Sequence, residues 1–455
     1  MTALDRQRLR SLLVRERAAF AAAHPRSAAA YADGAPNLLG GVPMTWMNMA
    51  AGGFPLYLAH ARGARVTDID GHEYVDFALG DTGAMAGHSP GPTVEAIVGR
   101  VDREGGITAM MPTEDAAWVG ADLARRFGVP VWSFTLTATD ANRWAIRLAR
   151  LLTGRPKILV NAYCYHGSVD ETIAVIGPDG RAIPRPGNVG APVNVALTTR
   201  VVEFNDVDAL ARELAHEDVA AVLMEPALTN IGIVLPEPGY LDAVRRLTHE
   251  HGTLLIDDET HTFSAGPGGA TGAWGLEPDM VTIGKSIAGG IAAGAYGVSA
   301  GLAGRIAAEK EADLVDVGGV GGTLAGNALS LAAARATLEH VLTDAAFEHM
   351  AARATRFAAG VQETIDAGGL PWSVVQLGAR AEYRFASPPP RTGSASAAAA
   401  DPELDDLLHV YMANRGILIT PFHNMALMSP QTTDEDVDRH TGTFAAAVRE
   451  LAGGT

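Results

Sequence analysis

Two short apolar runs, each stopping at a reactive side chain, constrain this chain more than any other feature. Residues 254–256 are Leu-Leu-Ile and end at Asp257 and Asp258; residues 280–283 are Met-Val-Thr-Ile and end at Gly284 and Lys285. Runs of this length and content, bounded by turn residues, fit strands buried on both faces of a parallel sheet. Ligands collect at the carboxyl ends of such strands, so an acid and a lysine just past two of them can meet over one ligand. The choice of lysine is a signal in itself. The chain has 35 Lys+Arg, yet lysine stands only at Lys157, Lys285 and Lys310. Arginine stays protonated and cannot serve as an amine nucleophile, whereas lysine can. The bland alternative is a lysine stem snorkelling from a strand end.

With 455 residues, 47% hydrophobic and 19% charged, the chain is long enough for a large α/β domain with a substantial core and a smaller second domain. A net charge of −17 argues against nucleic acid and anionic membranes as partners, and requires local donors for any phosphate ligand. One cysteine, Cys164, excludes an internal disulfide framework and fits a reducing, cytoplasmic setting. The first twenty residues mix Arg with Glu and Asp, which reads as a surface helix and not as a targeting segment. No stretch has the length and apolarity of a membrane span.

Along the chain, residues 1–70 read as a helix, an irregular arm carrying Trp46 and Met47, and the start of a meander turning at Asp70-Gly71. Residues 71–335 read as a large domain of β–α units around a mostly parallel sheet. Residues 336–455 read as a small α+β domain, with a low-complexity segment at 387–404 expected to be a mobile loop. Within the large domain, Thr137-Ala138-Thr139-Asp140 joins a strand over 131–137 to a helix over 141–152. Such a joint offers free N–H groups, two hydroxyls and the positive end of the helix dipole to an anion; the alternative is an ordinary N-cap by Thr139. Glu225 ends another buried run, so it too faces the ligand crevice. Thr323 sits in a Gly-Gly-Thr turn ahead of an alanine-rich helix, a second helix-start setting. His166 reads as a satisfied structural residue. Trp46 and Met47 read as packing residues or as a pocket wall.

Several of these motifs occur together in one known order. Asp258-Glu259-Thr260-His261-Thr262 followed by Ile283-Gly284-Lys285 resembles the active-site signature of class III aminotransferases. These are fold type I pyridoxal-phosphate (PLP) enzymes; the likeness is nearest to glutamate-1-semialdehyde aminomutase and to the amine and amino-acid transaminases. It runs from about Gly53 to the end and includes Gly63, Asp68, Asp70, Gly71, Tyr74 and Asp76 of the opening meander. The resemblance implies that Lys285 binds PLP as a Schiff base, then acts as general base between the substrate Cα and the cofactor C4′. It implies that Asp258 faces the pyridine nitrogen and keeps it protonated, so the ring withdraws electrons. Thr137, Ala138 and Thr139 would form the phosphate cup, Tyr165 would stack on the ring, and Thr260 would pack on its opposite face. His261 would lie near the cofactor's phenolic oxygen, and Glu225 would stand behind the ring. Thr323 would reach the phosphate of a neighbouring subunit's cofactor, making the active unit a homodimer or larger with shared sites. No metal is implied.

Two departures bear on the substrate. Many class III aminotransferases hold a substrate carboxylate with an arginine just before the proline of the C-terminal strand; here Thr420 precedes Pro421. Some relatives of the aminomutase use an arginine after a Gly-Gly pair in the N-terminal arm. Here Gly40-Gly41 leads into Val42-Pro43-Met44-Thr45-Trp46-Met47. The expectation is an aminotransferase moving an amino group from an amine or amino acid, preferably apolar or aromatic, to a keto acid, ketone or aldehyde. Arg143, Arg415 or a loop residue remain as substitute carboxylate holders. The competing class is an isomerase on the same lysine, either a 2,1-aminomutase or a racemase. A non-catalytic PLP-fold module for binding or regulation is the third reading.

Overall fold

The computed structural model describes residues 5–109, 111–190, 194–309 and 322–453. Lys310 and Gly321 lie outside them. The described chain forms two compact units, one built from Pro90–Phe347 with Pro390–Ala398, the other from the chain up to Ser89, Glu348–Pro389 and the chain from Ala399.

The first of these is organised on a seven-stranded sheet. In spatial order its strands are Val131–Thr135, Gly294–Val298, Met280–Ile283, Leu254–Asp258, Val219–Met224, Lys157–Asn161 and Thr199–Val202. Gly294–Val298 runs antiparallel to both neighbours, and the other pairings are parallel. The apolar runs are continuous because their strands have no solvent face: every residue of Leu254–Asp258, Val219–Met224 and Met280–Ile283 is buried. The expected strand over 131–137 ends at Thr135, and the helix after it starts earlier than expected and spans Ala138–Thr153. That helix turns Ala141, Trp144, Ala145, Leu148 and Ala149 inward at helical spacing. It stops at Gly154, whose φ of 67° is a left-handed cap that glycine adopts without strain. The strands Ala174–Ile176 and Ala182–Pro184 form a separate antiparallel hairpin.

The second unit contains the meander Leu58–Arg62, Arg65–Asp68 and Glu73–Asp76, extended by a parallel strand Ile417–Leu418. Because Glu73–Asp76 pairs there, the chain up to Ser89 belongs with this unit. A three-stranded antiparallel sheet, Ser373–Leu377, Arg380–Arg384 and Met425–Leu427, completes it. Its last helix, Asp434–Leu451, opens with a capping box between Thr433 and Asp436. After residue 327 the chain forms the helices Ala328–His340 and Asp344–Ala367.

The segment at 387–404 is not the loose loop its composition suggests. It holds the helix Gly393–Ala398 and leads into another, Pro402–Ala413. Residues 390–398 belong to the unit of the seven-stranded sheet: Arg391 pairs with Glu237, Ser394 hydrogen-bonds Glu203, and Ser396 Oγ donates to the Ile231 carbonyl at 2.5 Å. A Cβ at Gly393 would overlap the Ala162 carbonyl, so only glycine permits this approach.

Candidate active site

Parallel pairing sets Asp258 opposite Thr282, three residues before Lys285. The Asp258 carboxylate is the centre of a buried hydrogen-bond network. Its Oδ2 accepts from His166 Nδ1 at 2.9 Å and from Asn142 Nδ2 at 2.8 Å, and its Oδ1 accepts from the Thr260 N–H at 3.1 Å. Asn142 is held in turn by Thr282, whose hydroxyl donates to Asn142 Oδ1 at 2.6 Å. Helix Ala138–Thr153, the turn at His166 and two strands are thereby fixed around one carboxylate. Burial pushes Asp258 up, but the His166 contact, Thr260 and Asn142 outweigh it and hold the carboxyl below its ordinary value. Burial pulls His166 down, and Cys164 and Asp258 more than reverse this, leaving it well above the usual range. Asp258 is therefore an anion that carries charge into the core of the sheet. Its neighbour Asp257 is the opposite case: burial and then Glu259 raise it well above its ordinary value, which favours the neutral form.

Lys285 starts a short 3-10 turn, Lys285–Ala288, in the left-handed region at φ 53°. A side chain held there is strained by about 1–3 kcal/mol, a conformation that clusters at functional positions. Gly284 must be small: a Cβ there would stand 2.9 Å from the Ala138 backbone nitrogen. The lysine thus follows the point where its strand touches the start of helix Ala138–Thr153. Lys285 Nζ lies 2.9 Å from Nε2 of His261, whose side chain is buried.

At that helix start the N-cap is Thr137, not Thr139. The Thr137 hydroxyl accepts from the Asp140 N–H at 3.2 Å and donates to Asp140 Oδ2 at 2.8 Å. Thr139 is used across the cleft, its Oγ1 accepting from the Ser168 N–H at 3.1 Å. Gly167, at φ 74°, lies so close that a Cβ would overlap Thr139 Oγ1. Tyr165 is 42% exposed, an open setting for a ring that is to stack on a ligand. Thr260 is buried, with no partner for its hydroxyl among the described residues. Glu225 is buried, accepts from the Thr229 hydroxyl, and is pushed up by burial to about 7.

Thr137, Ala138, Thr139, Tyr165, Glu225, Asp258, Thr260 and Lys285 all belong to the one unit, tied by the pairings and contacts above. Thr323 is in the same unit, exposed in the turn before Ala328–His340 and bordering a recess with Trp132, Phe134 and Trp144. Trp46 and Met47 belong to the other unit, in the 3-10 turn Thr45–Asn48. Trp46 packs edge-on to Phe422 at 5.6 Å, and Met47 is exposed. Arg415 is committed there too, paired with Glu16 at 3.1 Å and lying over Tyr411, so it is not a spare carboxylate holder. Arg143 donates to the Ser168 carbonyl at 3.3 Å. Sequence reasoning missed Asn142 and Thr282 and assigned His166 no part in the site. The available signal was Asn142 itself, a polar residue beside Ala141 and Ala145 on the apolar side of a helix.

Known proteins resemble this chain in sequence and in fold. The family model for class-III aminotransferases matches residues 47–448. A glutamate-1-semialdehyde 2,1-aminomutase 2 from Anoxybacillus flavithermus is 33% identical over 437 residues, covering 94% of this chain and 98% of its own. A crystal structure of a glutamate-1-semialdehyde-aminomutase from Pseudomonas aeruginosa PAO1, a lysine-to-alanine variant in complex with PMP, is 49% identical. It superposes with a TM-score of 0.95 over 98% of this chain and 99% of that one. An omega-transaminase from Sphaerobacter thermophilus is 28% identical, with a TM-score of 0.84 over 94% of this chain and 98% of that one. The chain belongs to the class-III aminotransferase family, the PLP-dependent enzymes of fold type I.

Proposed function

We propose that this PLP enzyme is an aminotransferase, taking the amino group of an amine or amino acid and passing it to a keto acid, ketone or aldehyde. The observation that carries the reading is the pairing of two strands that end in a buried anionic Asp258 and a strained Lys285. The residues fit the cofactor. Asp258 offers a carboxylate held ionised in a dry site, the partner a protonated ring nitrogen needs. Helix Ala138–Thr153 starts beside Gly284 with its dipole's positive end, a seat for a phosphate. Tyr165 and Thr260 supply an aromatic face and a compact wall. PLP, when bound, supplies an aldehyde that takes up an amine and a ring that withdraws electrons.

In this reading Lys285 would hold the cofactor, and its Nζ, when free, would take the proton from the substrate carbon. Asp258 keeps the ring nitrogen protonated, and His166 and Asn142 keep Asp258 aimed and charged. Glu225 backs the site from the neighbouring strand. The substrate side leans to an apolar or aromatic donor, because Thr420 stands at the family's arginine position and Arg415 is tied to Glu16. The working unit is proposed to be a cytoplasmic homodimer in which Thr323 completes the partner's phosphate site.

A second reading has its own support. The curated relative and the 49% identical structure described above are both glutamate-1-semialdehyde aminomutases, so a 2,1-aminomutase on the same lysine is the alternative. One experiment separates them. Enzyme is mixed with a single amino substrate and no acceptor, and the cofactor spectrum and product are followed. An aminotransferase stops after one equivalent per site; an aminomutase turns over many times. A panel of amines against pyruvate then identifies the donor.

A further inference from the structure

We propose that His261 is a positioning residue for Lys285, its Nε2 accepting an N–H of the lysine amine and so setting where the lone pair of that amine points. The inference rests on the reading of Lys285 as the proton-moving group. It starts from the 2.9 Å distance between Lys285 Nζ and His261 Nε2. A lysine head sits on a flexible four-carbon stem and rotates freely unless something holds it. An ammonium has three donors and no acceptor, so Nε2 can only accept from it. A neutral amine has two N–H groups and one lone pair. If it gives one N–H to His261, its lone pair is left for the substrate. If Nε2 carried the hydrogen instead, it would cap the lone pair and block the base.

The imidazole is itself built in. His261 lies two residues after Glu259, whose N–H donates to the Thr282 carbonyl at 2.8 Å. The buried Glu259 carboxylate accepts from the Ala270 N–H at 3.1 Å, the Thr271 N–H at 2.5 Å and the Thr262 hydroxyl at 2.6 Å. The His261 carbonyl accepts from Ser264 Oγ at 3.0 Å. A ring on so fixed a turn is a fixed acceptor, whereas the lysine stem is not; the histidine positions the lysine.

The proton balance is simple. The substrate C–H bond breaks, its electron pair stays on the carbon for the cofactor to delocalise, and an N–H bond forms on Lys285 Nζ. His261 gains and loses nothing. Its contact persists through the step and becomes charge-assisted once the amine is an ammonium, which favours the transfer.

The test uses two variants and two readouts. His261→Met keeps the bulk and loses the acceptor; His261→Gln puts an amide oxygen at similar reach. In single-turnover reactions with protiated and α-deuterated amine, His261→Met should slow the half-reaction by about ten- to a hundredfold, the scale of a misplaced reacting group. The deuterium isotope effect should rise, with the substrate dissociation constant unchanged. His261→Gln should recover most of the rate. A Met variant equal to wild type, or a Gln variant as slow as Met, overturns the proposal. A merely space-filling histidine would be served by Met and not by Gln. The second readout is nitrogen NMR of ¹⁵N-histidine enzyme loaded with pyridoxamine 5′-phosphate, which leaves the lysine amine free. The His261 signal, assigned by its loss in His261→Gln, should show an unprotonated Nε2 that shifts in Lys285→Met. A protonated Nε2, or no shift, overturns the pairing. If no amine reacts at all, the aminotransferase reading fails, and the NMR result still decides the pairing.

Discussion

Asp258 and His166 meet through a 2.9 Å hydrogen bond where both side chains are almost wholly out of water. Burying one charge there would be prohibitive, and burying a matched pair with further donors is not. Asn142 and the Thr260 N–H complete the shell, so the carboxylate stays ionised beside a lysine strand. Asp258→Asn keeps the shape and removes the charge. The half-reaction should slow by several orders of magnitude, a barrier increase of about 3–6 kcal/mol, with PLP still bound. Asp257→Asn should stay close to wild type, since burial and Glu259 favour the neutral form of Asp257 in the fold. Stopped-flow traces of the two variants decide which acid faces the ring.

Lys285 should carry the cofactor. Borohydride reduction should fix PLP on the peptide containing Lys285 and abolish the visible band. Lys157 is paired with Asp218 at 3.2 Å and should stay unmodified. Lys285→Arg should fold, bind PLP without covalent attachment and lose turnover, because arginine cannot exchange an amine bond.

Glu225 predicts a pH dependence of stability. Burial raises its folded value to about 7, above the ordinary 4.5 of the unfolded chain. The folded state therefore holds this proton more tightly. The stability it gives is complete below about pH 4.5 and is lost as pH rises through about 7, by about 3 kcal/mol in all. Glu225→Gln should lose less stability than wild type between pH 5 and 8. Denaturant midpoints measured across that range, with cofactor saturating, should converge at the acid end.

Arg126 offers a stability test at a residue with no proposed part in the chemistry. It is buried, 2.6 Å from Asp122, and donates to the carbonyls of Pro267, Leu338 and Leu342. Asp122→Ala leaves the guanidinium buried with no counter-charge, which should cost about 3–5 kcal/mol. Thermal and denaturant midpoints should fall, while the absorbance of bound PLP at low temperature is unchanged.

Thr323→Ala tests the proposed shared site. A charge-assisted hydrogen bond to phosphate is worth about 1.5–3 kcal/mol, so PLP retention should weaken by about ten- to a hundredfold. Dimer and PLP should be linked, each favouring the other. Sedimentation with and without PLP checks this; a fully active monomer that holds PLP tightly refutes it.

The buried strands were legible because burial on both faces removes the alternation that would otherwise dilute an apolar run. Lys285 and Asp258 were legible because each ends such a run. Other features depend on which strands become neighbours, and that is written in no single segment. Thr282 reaches Asn142 across 140 residues, and His261 reaches Lys285 across 24. The Ser373–Leu377 strand gives a weak signal, since its apolar residues are interrupted by Gln376 and its three middle residues are only half-buried. Residues 387–404 misled through composition: Pro, Ser and Ala suggest looseness, yet Arg391, Ser394 and Ser396 find partners more than 150 residues earlier.

That last feature reaches beyond the folded state. Glu203, Ile231 and Glu237 receive their hydrogen-bond partners from residues 391–396. A ribosome that has released the whole seven-stranded sheet has therefore not yet delivered a part of its surface. That surface must wait while Glu348–Pro389, a segment of the other unit, is synthesised, and contacts so distant in sequence form slowly. Until then Glu203, Glu237 and the Ile231 carbonyl lack these partners, so this corner of the unit should be the last to gain protection from hydrogen exchange during synthesis.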